Sequence, residues 1–125
     1  MKFETVHTCL RVADLAASIA FYTEALGYTE VRRVDNPDKE FTLVFLSDGM
    51  SDHQLELTYN YGHGAYDLGD GFSHIAMVTD DLEAAHARHQ AMGYRVSEMY
   101  SVHGQKPNIY FITDPDGYDV EIIRR

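Results

Sequence analysis

Two stretches of the chain carry the same order of apolar and polar positions. Residues 7–33 read HTCLRVADLAASIAFYTEALGYTEVRR, and residues 74–100 read HIAMVTDDLEAAHARHQAMGYRVSEMY. In each, a short alternating run leads to an acidic position, then to apolar residues at helical spacing, then to Gly-Tyr and another run. Strict alternation predicts a half-buried strand, and apolar residues three and four apart predict an amphipathic helix. Asp14 stands where a helix cap is expected; Leu15, Ile19, Tyr22 and Leu26 share one helical face, and Gly27 suits its C-terminal stop. In the second stretch Asp80 is expected to cap, with Glu83 three residues on as in a capping box. Leu82, Ala85, His89 and Met92 form the predicted buried stripe, ended by Gly93. His89 is therefore read as a packed side chain and not as a ligand.

The repeat extends beyond these stretches. His7 and His74 are 67 positions apart, and Asp14/Asp81 and Leu15/Leu82 share that offset. Residues 53–60 (HQLELTYN) correspond to residues 118–125 (YDVEIIRR), with Glu56 and Glu121 in matching places. Between them, residues 41–49 (FTLVFLSDG) and 109–117 (IYFITDPDG) read as matching hairpin arms. Asp-Pro-Asp-Gly is a turn signal, since proline fixes φ and glycine permits φ above zero. A fixed offset over most of a chain points to duplication. The expected fold is α+β: two tandem βαβββ modules, 1–61 and 72–125, within one domain spanning 1–125. Each would form a mixed sheet with a helix on one face, curved around a shared site. Residues 60–73, rich in Gly, Tyr and Asp, read as the linker.

The alternation also sorts the polar residues. His7, Cys9 and Arg11 share one face of the first strand, opposite Thr8, Leu10 and Val12. Gln54, Glu56, Thr58 and Asn60 oppose Leu55, Leu57 and Tyr59; His74 opposes Ile75 and Met77; Glu121 opposes Val120 and Ile122. The apolar-richer face would pack on a helix, which leaves one His and one Glu per half on the other. A lone His or Glu on a strand is usually a solvated surface residue. The duplicated placement of four argues instead for a divalent metal held by His7, Glu56, His74 and Glu121. Two imidazoles and two carboxylates suit zinc, nickel, cobalt, iron or manganese. His53, His63, His86 and His103 lack the repeat relation and are read as surface or loop residues, with His63 and His103 near a pocket rim.

Composition narrows the partners. The chain has 125 residues, 45% hydrophobic and 24% charged, with a formal net charge of −10. Its length suits one compact domain. A nucleic-acid partner is not expected, because no basic patch is visible. No apolar run is long enough to suggest a membrane span, and polar residues interrupt the N-terminal segment where a signal peptide would need an apolar core. The single cysteine, Cys9, excludes an intramolecular disulfide and is read as inert. A cytoplasmic location is expected.

With these residues in place, the chain resembles the vicinal oxygen chelate superfamily, and within it is similar to glyoxalase I (lactoylglutathione lyase) of the short bacterial type. The matching stretches are HTCLRVADLAASIAFYTEALG, LELTYNYGHGAYDLGDGFSHIAM and DPDGYDVEII. The resemblance implies a lyase that isomerises the hemithioacetal of methylglyoxal and glutathione to S-lactoylglutathione, which detoxifies methylglyoxal. It implies His7, Glu56, His74 and Glu121 as the metal ligands, with nickel or cobalt preferred and zinc also accommodated. It implies a homodimer whose sites lie between subunits. Glu121 is the expected base and Glu56 the second candidate. Arg11 and Asn60 fall on glutathione-binding positions. Residues 102–108 (VHGQKPN) depart from the glycine-richer loop usual in the short type; Lys106 is the cation that loop would offer, and a different thiol adduct is a competing substrate. An epimerase, a further metalloenzyme of this fold and a non-enzymatic ligand-sequestering protein are the competing functions. Extradiol dioxygenases and fosfomycin-modifying transferases use three protein ligands, so Glu56 argues against both.

Overall fold

The computed structural model describes residues 1–104 and 106–125. Gln105, inside the predicted 102–108 loop, lies outside them. The chain forms two compact units, Met1–Tyr66 and Asp67–Arg125. Residues 61–73 carry neither helix nor strand.

The first unit runs β1 (His7–Arg11), α1 (Leu15–Ala20), β2 (Thr29–Asn36), β3 (Phe41–Ser47) and β4 (Gln54–Asn60). Its sheet has the order β1-β4-β3-β2. β1 lies parallel to β4, and the other neighbours are antiparallel. The helix crossover makes the parallel pair possible, because two parallel strands cannot be joined by a tight turn. Asp14 caps α1 as expected, its carboxylate accepting from the Ala17 N–H at 3.1 Å. The helix then widens into a π-helical turn, Phe21–Ala25, where the Thr23 hydroxyl donates to the Ile19 carbonyl at 2.7 Å. The buried face differs from the predicted stripe. Ser18, Phe21 and Tyr22 take its centre, and Leu15, Ile19 and Leu26 are only half-buried. Phe21 has more apolar surface to bury than Leu15 or Ile19, so packing turns the helix toward it. Leu10, Val44, Leu46, Leu55 and Leu57 are buried on the helix side of the sheet.

The second unit repeats this plan: β5 (His74–Thr79), α2 (Leu82–Ala91), β6 (Arg95–Val96), β7 (Ile109–Thr113) and β8 (Asp119–Arg124). The order is β5-β8-β7-β6, with β5 parallel to β8. The expected α+β architecture of two βαβββ modules is thus present. The cap of α2 is Asp81, not Asp80: Asp81 accepts from the Ala84 N–H at 3.0 Å. Asp80 instead accepts from Arg125 Nε at 2.9 Å, which draws it off the helix end. His89 is packed as read from the sequence, with its Nδ1 2.8 Å from the buried Tyr110 hydroxyl. His86 is not simply a surface residue. Its Nε2 donates to the Ser97 carbonyl at 2.8 Å and its ring meets Tyr110 edge-on, tying α2 to the chain after β6. In the Asp114–Gly117 turn, the Asp114 carboxylate accepts from the Asp116 and Tyr118 N–H groups at 2.9 Å each, and Gly117 sits at φ 100. Only glycine adopts that φ without strain.

One ion pair clips the last strand to α2. Arg124 donates to both oxygens of Glu83, at 2.6 and 2.9 Å, and to the Pro107 carbonyl at 2.8 Å. The guanidinium holds the Glu83 carboxyl at about 2, below its ordinary 4.5. A carboxyl lowered in the folded state contributes stability that is complete above its unfolded value and is lost as pH falls through the folded one. Glu83→Gln is therefore expected to lower the melting temperature at pH 6. The gap to wild type should narrow below about pH 4.5 and close near pH 2, checked by thermal denaturation across that range. A gap independent of pH would show that the pair contributes through something other than its charge.

Candidate metal centre and its two half-sites

The face of each sheet away from its helix carries the sequence-predicted ligands. In the first unit, β1 and β4 register with Cys9 opposite Glu56, and His7 opposite Gln54. His7 and Glu56 therefore sit diagonally across two neighbouring strands and on one face. The His7 Nε2 lies 3.8 Å from Glu56 Oε2. Glu56 is largely buried, its side chain 12% exposed, against 41% for His7. Phe45, registered with Glu56 on β3, closes the far side and meets the His7 ring edge-on at 5.6 Å.

The second unit repeats the arrangement. Glu121 registers with Ala76 and with Phe111, and His74 with Asp119. The His74 Nε2 lies 3.8 Å from Glu121 Oε1, and Phe111 meets the His74 ring edge-on at 5.4 Å. The Ser73 hydroxyl, 2.7 Å from His74 Nδ1, orients that ring so that Nε2 faces the carboxylate. A second partner that fixes tautomer and ring orientation is what a metal-ligating imidazole requires. A cavity of about 420 Å³ lies on this sheet, with Arg95, Ser97, Phe111, Thr113 and Asp119 among its walls.

The pairs suit a shared ion. An imidazole nitrogen and a carboxylate oxygen 3.8 Å apart can both reach a cation at ~2.0–2.2 Å. Each pair supplies only two donors, and no group of three His, Cys, Asp or Glu that could hold a metal occurs among the described residues.

The remaining candidates are placed less uniformly. Arg11 and Asn60 lie on the open side of the first sheet, following the alternation of β1 and β4 from His7 and Glu56. Asn60 donates to the Tyr66 hydroxyl at 3.0 Å, and Tyr66 stacks on His63 at 3.9 Å. Lys106 is exposed and near enough to Glu83 to help lower its carboxyl. Cys9 has its Sγ 3.1 Å from the Thr58 hydroxyl. Loss of solvation around the sulfur, with a hydrogen bond to Glu56, pushes the thiol above its ordinary value, so it stays protonated at neutral pH. Sequence reading missed Arg95 and Asp119 as cavity walls and Phe45 and Phe111 as partners of the histidines. Phe45 and Phe111 are 66 positions apart, within one of the 65 that separate Glu56 and Glu121, and that shared offset was the available signal.

This duplicated βαβββ architecture, with one His–Glu pair on each open sheet face, defines the class. The chain belongs to the Glyoxalase/Bleomycin resistance protein/Dioxygenase superfamily, whose family model matches residues 5–122. It is 43% identical over 122 residues to the probable lactoylglutathione lyase of Vibrio parahaemolyticus, covering 95% of this chain and 88% of that protein. It is 42% identical over 127 residues to the probable chloroplastic lactoylglutathione lyase of Arabidopsis thaliana, covering 99% of this chain but only 36% of the plant protein. Among solved structures, the trypanothione-dependent glyoxalase I of Leishmania major superposes with a TM-score of 0.88 at 38% identity, covering 98% of this chain and 87% of that one.

Removal of either histidine is expected to weaken divalent-metal binding. His7→Ala and His74→Ala should each lose at least about 100-fold in affinity, since loss of an outer partner alone costs 10–100-fold at such sites. Calorimetric titration of metal-stripped protein with nickel or zinc checks this. Unchanged binding in either variant would remove that half from the site.

Proposed function

We propose that the protein is a metal-dependent glyoxalase I, a lyase converting the hemithioacetal of methylglyoxal and glutathione into S-lactoylglutathione. The observation that carries this reading is the repeated His–Glu pair, with the same 3.8 Å separation in both units, in a chain 43% identical to a probable lactoylglutathione lyase over most of its length. Two donors per unit are too few for a catalytic ion, which takes three or more protein ligands. The family resemblance implies that the His7–Glu56 pair of one chain and the His74–Glu121 pair of a second complete one site, in a homodimer. The donor set accepts nickel, cobalt or zinc, and the short bacterial resemblance favours nickel or cobalt. The lone cysteine fits a reducing compartment, and the cytoplasm is the inferred location.

The reaction needs a proton moved between adjacent carbons. The proton leaves the carbon bearing sulfur and hydroxyl, and one is returned to the neighbouring carbonyl carbon. The hydroxyl proton transfers to the other oxygen, so that a thioester and a secondary alcohol result with no change in overall composition. His7, Glu56, His74 and Glu121 would hold a divalent ion, which would supply the Lewis acidity that acidifies the carbon-bound proton. A carboxylate within about 3 Å of that carbon does the proton transfer. Glu121 is assigned as this base. Glu56 faces Cys9 across the strand pair and is hydrogen-bonded by its thiol, whereas Glu121 faces Ala76, which offers no donor. Glu121 is therefore the less tethered of the two. Arg11 and Asn60 are inferred to bind the glutathione moiety, with Lys106 as the loop cation.

Ultraviolet detection of thioester from methylglyoxal and glutathione, on metal-stripped protein supplied with nickel, cobalt or zinc, tests the reading. Turnover restored by at least one metal is expected, and no thioester with any of them would overturn it. Glu121→Gln should cut kcat by ~10²–10⁴-fold while retaining measurable metal. A near-normal kcat would reassign the base to Glu56.

A further inference from the structure

The open face of the first sheet carries a cation that the proposed reaction has not used. β2 and β3 pair antiparallel with Thr29 opposite Ser47 and Glu30 opposite Leu46, and then the register shifts so that Arg32 stands opposite Phe45. Without that bulge Val31 would face Phe45, and Arg32 would face the buried Val44 on the helix side. One extra residue thus turns Arg32 onto the face that holds His7 and Glu56, and re-aiming a side chain is what bulges do next to sites. The guanidinium carbon lies 4.0 Å from the centre of the Phe45 ring. That stacking draws the charge inward over β3, one strand from Glu56, a lateral distance of about 5 Å.

Among the described residues Arg32 makes no ion pair. Its neighbour Arg33 is engaged with Glu30 at 2.6 Å, and Arg124 and Arg125 have Glu83 and Asp80. Among the described residues no carboxylate lies within ion-pair distance of Arg32, in a chain of net charge −10. In the second unit, among the described residues, no guanidinium stacks on Phe111: the Ser97 hydroxyl accepts from its backbone N–H and the Tyr100 ring lies at 6.4 Å, with Arg95 on the cavity wall nearby.

We propose that Arg32, stacked on Phe45, is a specificity-determining residue that recognises a carboxylate of the thiol carrier. This rests on the glyoxalase reading and deepens it. A planar guanidinium held over an aromatic ring keeps N–H donors for a partner, and its fork pairs with a carboxylate through two hydrogen bonds. The reach is right. Each extended residue spans about 3.3–3.6 Å, so a carboxylate one residue from the reacting sulfur falls within range of a charge one strand away. The thiol carrier is also the part of the substrate that differs among relatives. The Leishmania major enzyme is trypanothione-dependent, whereas the Vibrio protein is called a lactoylglutathione lyase.

The test compares glutathione with its diethyl ester, in which both carboxylates are blocked, as the thiol partner of methylglyoxal. Wild type should show KM about tenfold higher with the diester. Arg32→Gln should raise KM about tenfold with glutathione, less than about twofold with the diester, and leave kcat within about twofold. Arg32→Lys, which keeps charge without the fork, should fall between. A KM rise equal for both thiols, or a loss in kcat alone, would give Arg32 a structural role and overturn the proposal. If wild type forms no thioester, the glyoxalase reading falls, and calorimetry with S-butylglutathione decides the question of Arg32. Binding by wild type, about tenfold weaker in Arg32→Gln, would support carboxylate recognition. Equal binding, or none by wild type, would overturn it.

Discussion

Everything at the candidate site depends on the parallel pairing of the first and last strands within each unit. His7 and Glu56 are 49 positions apart in the sequence, yet the β1–β4 register leaves their side-chain atoms 3.8 Å apart. Side chains alternate with a period of two, so a slip of one residue would turn Glu56 into the helix-side core and bring Leu55 or Leu57 to the open face. Those leucines are buried against α1, which makes the slip costly. The hydrophobic core thereby fixes the geometry of the polar face. The same logic holds for β5 and β8, where buried Val120 and Ile122 flank Glu121.

This is why so much was legible in the sequence. Alternation assigned faces, duplication assigned correspondences, and the two together matched each histidine with its carboxylate from pattern alone. What stayed hidden were features set by tertiary packing. The buried face of α1 centres on Phe21 because the largest apolar ring wins the contact with the sheet. The α2 cap moved to Asp81 because Arg125, at the far end of the chain, takes Asp80. Arg32 could not be assigned a face at all. One bulged residue inverts the alternation of β2, and no local pattern in TEVRRVDN announces it.

Duplication also explains which positions are alike and which have diverged. His, Glu and the aromatic that closes the pair are the same in both units. The positions around them differ: Cys9 against Ala76, Gln54 against Asp119, and a stacked guanidinium over Phe45 where, among the described residues, Phe111 meets the Ser97 hydroxyl and the Tyr100 ring. On the proposed reading an ion would need equivalent donors from both halves, so the ligand positions would be constrained to match. An asymmetric substrate presents different groups to the two halves, and the neighbouring positions are free to specialise.

That division bears on the base. In a symmetric ligand set either carboxylate could take the proton, and the ligands themselves offer no distinction. The distinction comes from their cross-strand neighbours. The Cys9 thiol, hydrogen-bonded to Glu56, holds that carboxylate in place. With Ala76 opposite, Glu121 lacks such a bond from its cross-strand partner, so a change in its orientation breaks fewer interactions. On the proposed reading, a carboxylate that both holds an ion and carries a proton is better placed where its neighbours do not pin it. The small side chain at position 76 would then be as much a part of the site's chemistry as the carboxylate it faces.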